Sequence, residues 1–104
     1  HELFGAQNKT LLAQSIARQG RTAESMEILR PLLAYFREQR ARPHENRMLD
    51  FQYAHALYAA ALAEPAERDA RLAEASAVLD RLPPAMNNWK TGKRLRAWIA
   101  EARG

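Results

Sequence analysis

Between Arg47 and Glu64 the chain reads RMLDFQYAHALYAAALAE, and this stretch limits the possible folds more than any other. At 3.6 residues per turn its apolar side chains do not fit one stripe. Phe51, Ala54, Tyr58 and Leu62 fall on one side of a helix; Leu49, Tyr53, Ala56 and Ala60 fall on another. A helix that is apolar on two sides is buried between partners. Ala54, Ala56, Ala59, Ala60, Ala61 and Ala63 favour helix and let neighbours approach closely. Asp50, Gln52 and His55 interrupt the run, which is too short to span a membrane. The expected fold is all-α: an antiparallel array of about five helices with this one at its centre and no membrane insertion.

The flanking sequence supplies the neighbours. Leu11, Leu12 and Ile16, with Ala13 and Ala17, form an apolar face through Arg18, and Asn8 is placed to cap a start at Lys9. Gly20 suits a left-handed helix end. The short connection Gly20-Arg21 makes the next helix an antiparallel neighbour. That helix runs from Thr22, its cap, to about Arg40, with Met26, Leu29, Leu32, Leu33 and Phe36 facing inward. Pro31 lies inside it; an interior proline costs roughly 3 kcal/mol and kinks the helix. Pro43 fits the start of the central helix. Ala66–Leu82 reads as the fourth helix, with Leu72, Ala75, Leu79 and Leu82 inward and Glu67-Arg68-Asp69 solvated. Pro83-Pro84 stop it. A fifth helix spans about Asn88 to Ala102, turning Leu95, Trp98, Ile99 and Ala102 inward, with Trp89 joining them and Gly92 weakening its first turns. No strand-like alternation or hairpin dipeptide occurs.

This pattern resembles the tetratricopeptide repeat, a helix–turn–helix unit of about 34 residues. Leu12-Ala13 followed by Ile16 matches the large-small-xx-large signature of the first helix of a unit. Gly20 stands at the turn, and Ser25 with Leu29 matches the small-xxx-large signature of the second helix. Tyr53-Ala54 with Leu57, then Ala75 with Leu79, repeat the pattern. Lys9 and Asp50 occupy positions where the family often has Trp, neither unit ends in the usual Pro, and the second unit carries an insertion. The resemblance implies one domain over residues 1–104: two degenerate pairs at about 9–40 and 44–82, and a capping helix at about 88–102, since an open array end needs covering. It further implies an α-solenoid scaffold that binds protein or peptide in a groove lined by the first helix of each pair. Lys9, Gln14, Arg18, Gln52, His55 and Tyr58 would be exposed there. Read from the residues alone, His55 and Tyr58 instead pack against a neighbouring helix, the commoner fate of such side chains on an apolar helix.

Charge is unevenly spread. The formal net charge is +4, but Arg30, Arg37, Arg40, Arg42 and Arg47 gather in one region and Lys90, Lys93, Arg94, Arg96 and Arg103 in another. Between them Glu64, Glu67, Asp69, Glu74 and Asp80 prevail. Such patterning reaches an acidic partner or another part of the same protein. With no cysteine, disulfides, thiolate metal sites and cysteine nucleophiles are excluded. The opening His1-Glu2-Leu3 suggests a fragment of a longer protein. The Arg- and Ala-rich composition suggests a GC-rich bacterial gene, with the cytoplasm favoured over the periplasm.

Catalytic signatures fail on inspection. His44-Glu45 opens like a zinc-protease pair, but position 48 is Met. His1, His44 and His55 lack metal spacing and read as surface or capping residues. Thr91-Gly92-Lys93-Arg94 lacks the earlier Gly and the Ser or Thr of a phosphate loop. Glu64 and Glu67 lie on a solvated segment, and Ser15, Ser25 and Ser76 have no implied His partner. Asn8-Lys9-Thr10 fits a glycosylation acceptor but sits in a bacterial-looking composition.

The expectation is therefore a non-enzymatic scaffold without cofactor or metal, mediating protein–protein or interdomain contact in a regulatory or signalling protein, with Arg or Lys on the groove rim steering an acidic segment. The alternative is nucleic-acid binding through the basic patch Lys90, Lys93, Arg94 and Arg96 beside Trp89, if those side chains converge on one face. A third reading is self-association through an uncovered face at residues 1–4.

Overall fold

The computed structural model describes residues 2–104, with side chains from residue 5 onward. Every described element is helical: α1 (Glu2–Arg18), α2 (Thr22–Arg40), α3 (Arg47–Ala63), α4 (Arg68–Asp80) and α5 (Lys90–Arg103), with 3-10 turns at Pro65–Glu67 and Pro84–Asn88. α1 and α2 pack as a pair, α3 lies against both, α4 pairs with α3, and α5 closes on α3 and α4. No helix among the described residues is long and apolar enough to cross a membrane.

The centre is where the sequence puts it. Every residue from Phe51 to Ala61 is buried, and Ala54, Ala56, Ala59, Ala60 and Ala61 are fully so. Asn46 caps α3, its Oδ1 accepting from the Leu49 amide at 3.1 Å. Pro43 thus belongs to the loop, three residues short of that cap, rather than to the helix start. α2 is a single helix through Pro31, which is exposed. The proline's lost backbone bond therefore faces water, where it costs least.

The turn between α1 and α2 is a Schellman motif. Gly20 takes φ +82°, its amide bonds Ala17 O at 3.0 Å, and the Arg21 amide bonds Ile16 O at 3.2 Å. Thr22 does not cap α2: Arg21 is the N-cap and makes no side-chain capping bond. Its guanidinium instead bonds Glu24 Oε1 at 2.9 Å and Gln19 Oε1 at 3.1 Å.

Other boundaries move. α1 begins at Glu2, so Asn8 is an exposed residue inside the helix, not its cap. The early turns hold because Ala6 is buried and Thr10 Oγ1 donates to Ala6 O at 3.0 Å; a lone Gly5 costs only about 1 kcal/mol of helix propensity. Residues 65–67 tighten into a 3-10 turn at Pro65, so α4 starts at Arg68 rather than Ala66. α5 starts at Lys90 rather than Asn88, because residues 84–88 form a 3-10 turn. Gly92 has a packing role there: a Cβ on it would stand 3.3 Å from the Trp89 ring. That ring in turn lies 4.5 Å from Phe51, pinning the start of α5 to α3.

Leu11 and Leu12 do not join the core. They are 44% and 54% exposed, while Ala13, Ile16 and Ala17 beside them are buried. α1 meets neighbours on two sides only, so its apolar stripe is wider than its contact.

This contrast yields a stability prediction. Leu57→Ala, which removes a fully buried side chain, should cost about 2–5 kcal/mol in urea denaturation. Leu12→Ala should cost no more than about 0.5 kcal/mol. Equal costs would contradict this core.

Candidate interaction groove

One face of α3, carrying His55 and Tyr58, looks toward α1 on one side and α5 on the other. α1 contributes Leu11, Gln14, Ser15 and Arg18, the turn after it Gln19, and α5 Arg94 and Trp98. Together these seven line an open groove of about 460 Å³. The helical period explains the set: Leu11, Gln14, Ser15 and Arg18 repeat at i, i+3, i+4 and i+7, and Arg94 and Trp98 at i and i+4.

The floor is aromatic and the rim cationic. Tyr58 stacks on Trp98 with centroids 5.7 Å apart and planes at 17°. His55 lies 6.2 Å from both Trp98 and Phe51. The Arg18 guanidinium sits 5.0 Å from the Trp98 centroid and that of Arg94 5.2 Å from it. Arg18 Nη2 also donates to Tyr58 Oη at 3.1 Å. Among the described residues neither guanidinium has a carboxylate partner.

His55 and Gln14 meet beneath this rim. Burial, and after it the positive charges of Arg94 and Arg18, together lower the His55 pKa from 6.5 to about 4. The ring is therefore neutral at pH 7. Arg18 can only donate, so the Gln14 carbonyl faces it and accepts from Nη1 and Nη2 at 3.2 Å, which turns the Gln14 NH₂ toward His55 Nε2, an acceptor in the Nδ1–H tautomer of the neutral ring. Gln14 thus relays the position of His55 to Arg18.

The structure divides the residues the sequence singled out. Arg18 is exposed in the groove. Gln14 lines it but is itself buried, and His55 and Tyr58 are buried as well, so they form its support rather than its exposed lining. Burial also corrects the surface or capping role expected of His55. Gln52 is buried away from solvent too, and its Oε1 has no hydrogen-bond partner. His55 and Tyr58 are covered because Gln14 and Arg18 of α1 and Trp98 of α5 close over them. Lys9 is exposed but borders a different hollow, between α1 and α2, lined by Gly5, Ala6, Ile28 and Tyr35 among others. Residues 1–4, expected to hold an uncovered face, lie outside the described side chains. Leu11, Ser15, Gln19 and Trp98 were missed: the leucine and tryptophan read as core, and only a partly open side of α1 and α5 reveals them.

The basic patch does not converge. Lys90 and Lys93 are exposed, Arg94 turns into the groove, and Arg96 turns away toward α4. Arg96 Nη1 bonds Asp80 Oδ1 at 3.0 Å and Nη2 bonds Leu79 O at 2.7 Å. Among the described residues no group of three His, Asp or Glu is placed to hold a metal ion.

Comparison with protein-family models, with curated proteins and with solved structures returns no match.

Two outcomes follow from the buried polar groups. Because the unfolded chain binds a proton on His55 that the folded chain rejects, stability is complete above about pH 6.5 and is lost as pH falls toward 4. The shift corresponds to roughly 3 kcal/mol. Urea midpoints measured from pH 7.5 to 4.5 should fall more steeply for the native chain than for His55→Gln; parallel curves would refute the assignment. Gln52→Met, which removes an unpartnered buried carbonyl at similar volume, should raise stability by about 1 kcal/mol. A loss of that size would mean the carbonyl is satisfied.

Proposed function

We propose that the chain is a non-enzymatic helical-repeat module of the tetratricopeptide type, an α-solenoid unit that docks a protein, a peptide or a neighbouring domain in the α1–α3–α5 groove. The observation that carries this reading is the groove itself. It is long enough to be walled by two helices, floored by aromatic rings, and rimmed by guanidiniums that no carboxylate among the described residues neutralises.

The packing order supports it. Two helix pairs, α1–α2 and α3–α4, are followed by α5 across the open side of the second pair. The small residues that the repeat pattern requires where its helices touch, Ala13 with Ser25 and Ala54 with Ala75, are all fully buried. Ser25 Oγ donates to Ala13 O at 2.7 Å, a distance that only small residues at this contact permit. The groove lies on the face formed by α1, α3 and α5, the first helices of successive units in this reading. A scaffold of this kind acts by shape and charge and needs no reacting side chain.

Nucleic-acid binding is less well supported. A phosphate track needs several cations along one surface, whereas Arg96 is spent on Asp80 and Leu79, and Arg94 sits on Trp98.

A displayed library of random linear peptides, selected on the purified chain, tests the reading. Leu11→Glu, at an exposed groove position, and Trp98→Ala should each weaken the selected peptides by about tenfold or more. Arg81→Glu, exposed beyond α4, should leave them unchanged, with helical circular dichroism confirming that all three fold. Failure to select any binder, or equal loss with Arg81→Glu, would overturn the proposal.

A further inference from the structure

Six of the arginines find acidic partners among the described residues. Arg21 pairs with Glu24, Arg30 and Arg71 with Glu64, Arg40 with Asp50, Arg42 with Glu38 and Arg96 with Asp80. Arg37, Arg47, Arg68, Arg81 and Arg103 are also outside these pairs, but Arg18 and Arg94 alone among the described arginines share an indole. They come from helices far apart in sequence, meet over one indole, and pair with no carboxylate among the described residues. Arg94 donates no hydrogen bond to any described protein atom, so all its N–H groups are available.

Building on the groove reading above, we propose that the occupant is an acidic peptide segment whose carboxylates pair with Arg18 and Arg94 across Trp98. An arginine laid on an aromatic face keeps the edge of its guanidinium free, and that edge offers parallel donors matched to a carboxylate. Trp98 holds both guanidiniums in place before binding, so little side-chain freedom is lost when a carboxylate arrives. Arg18 is fixed further by Tyr58 and Gln14. The exposed Leu11 on the opposite wall offers contact to an aliphatic side chain between the acidic ones. No acidic residue among those described lines the groove to repel the segment, and the buried His55 beneath it is neutral at pH 7.

The same geometry favours a peptide over a nucleic acid strand. Of the four basic residues near the start of α5 only Arg94 lines the groove, and Arg18 is its only basic companion there among the described residues. Two cations over a shallow aromatic floor suit two side-chain carboxylates. They do not make the continuous row that a phosphate backbone needs.

The test is fluorescence anisotropy with a labelled octapeptide of alternating Glu and Leu, its Gln-for-Glu counterpart, its Lys-for-Glu counterpart, and a single-stranded DNA dodecamer. The Glu peptide should bind about tenfold or more tightly over the Gln peptide, the Lys peptide should bind least, and raising salt should weaken the Glu peptide. Arg18→Gln and Arg94→Gln should each lower its affinity about tenfold or more while leaving the weaker Gln peptide unchanged. Arg68→Gln, at an exposed arginine on α4, should have no effect. Arg94 bonds to no described protein atom, so its replacement spares the fold and keeps the result readable even if Arg18→Gln is destabilised. If the Glu and Gln peptides bind equally and both respond to Leu11→Glu, the groove reading stands and acid selectivity is overturned. If the library peptides bind but the Glu peptide does not, the acidic occupant is likewise overturned. If the dodecamer binds and no peptide does, both proposals fall.

Discussion

From Phe51 to Ala61 α3 has no solvent-facing residue, and every other element is placed by the need to cover it. An α-helix presents a full circle of side chains, so burying all of it takes several neighbours around the axis. α1, α2, α4 and α5 each take one sector. The alanines contribute little apolar area of their own, but they let backbones come close. Phe51, Tyr53, Leu57 and Tyr58 supply the area, at about 1.5–3 kcal/mol for each large side chain taken from water. Small and large residues on one helix thus do different work: the first set sets the spacing and the second the driving force.

Burial leaves the polar side chains of α3 to find partners inside, and apart from Gln52 Oε1 they do so through neighbouring helices. Tyr53 Oη donates to Glu74 of α4 and accepts from Arg37 Nε of α2 at 3.3 Å. Arg40 lies over the same ring at 4.7 Å and pairs with Asp50 at 3.0 Å. The Tyr53 hydroxyl is held above its usual pKa by burial and by its bond to Glu74, so it stays a donor. On the other side Tyr58 and His55 turn to Arg18 and Gln14. Each tyrosine carries its apolar ring into the core and hands its hydroxyl to an arginine at the edge. The two edges end differently. The Tyr53 edge is neutralised by Glu74 and Asp50, and the Tyr58 edge is not.

The architecture was legible because it rests on periodicity. The all-helical class, the number of helices, the central position of α3, the Gly20 turn and the unbroken α2 follow from residue spacing and backbone restriction. Ends were less legible. Asn8 is a good cap in isolation, but Ala6 and Thr10 extend α1 past it, and tertiary burial outweighs a local signal. The site was legible only in part. Periodicity places residues on a face but does not say how far a neighbouring helix covers it: Leu11 reads as core, the repeat resemblance puts Gln14, Gln52, His55 and Tyr58 at an exposed groove, and only for His55 and Tyr58 do the residues alone point to the packing against a neighbour that is found. Arg18 and Arg94 were each visible as charges. Their meeting over Trp98 was not, since it joins helices α1 and α5 that are separated by most of the chain.

That meeting also explains how two like charges persist on one indole with no carboxylate among the described residues. Repulsion between exposed guanidiniums is weak in water and further screened by salt. Against it, an arginine over an indole gains about 0.5–1 kcal/mol at an exposed site and more where water is excluded. Trp98, itself stacked on Tyr58, interacts with both guanidiniums at once. The indole therefore takes the role that Glu74 and Asp50 play at the opposite edge, with one difference. A carboxylate cancels the charge it holds, whereas an aromatic face holds the cation and leaves its field directed outward. The lowered pKa of His55 is the internal trace of that field: part of it comes from Arg94 and Arg18 acting through the floor of the groove.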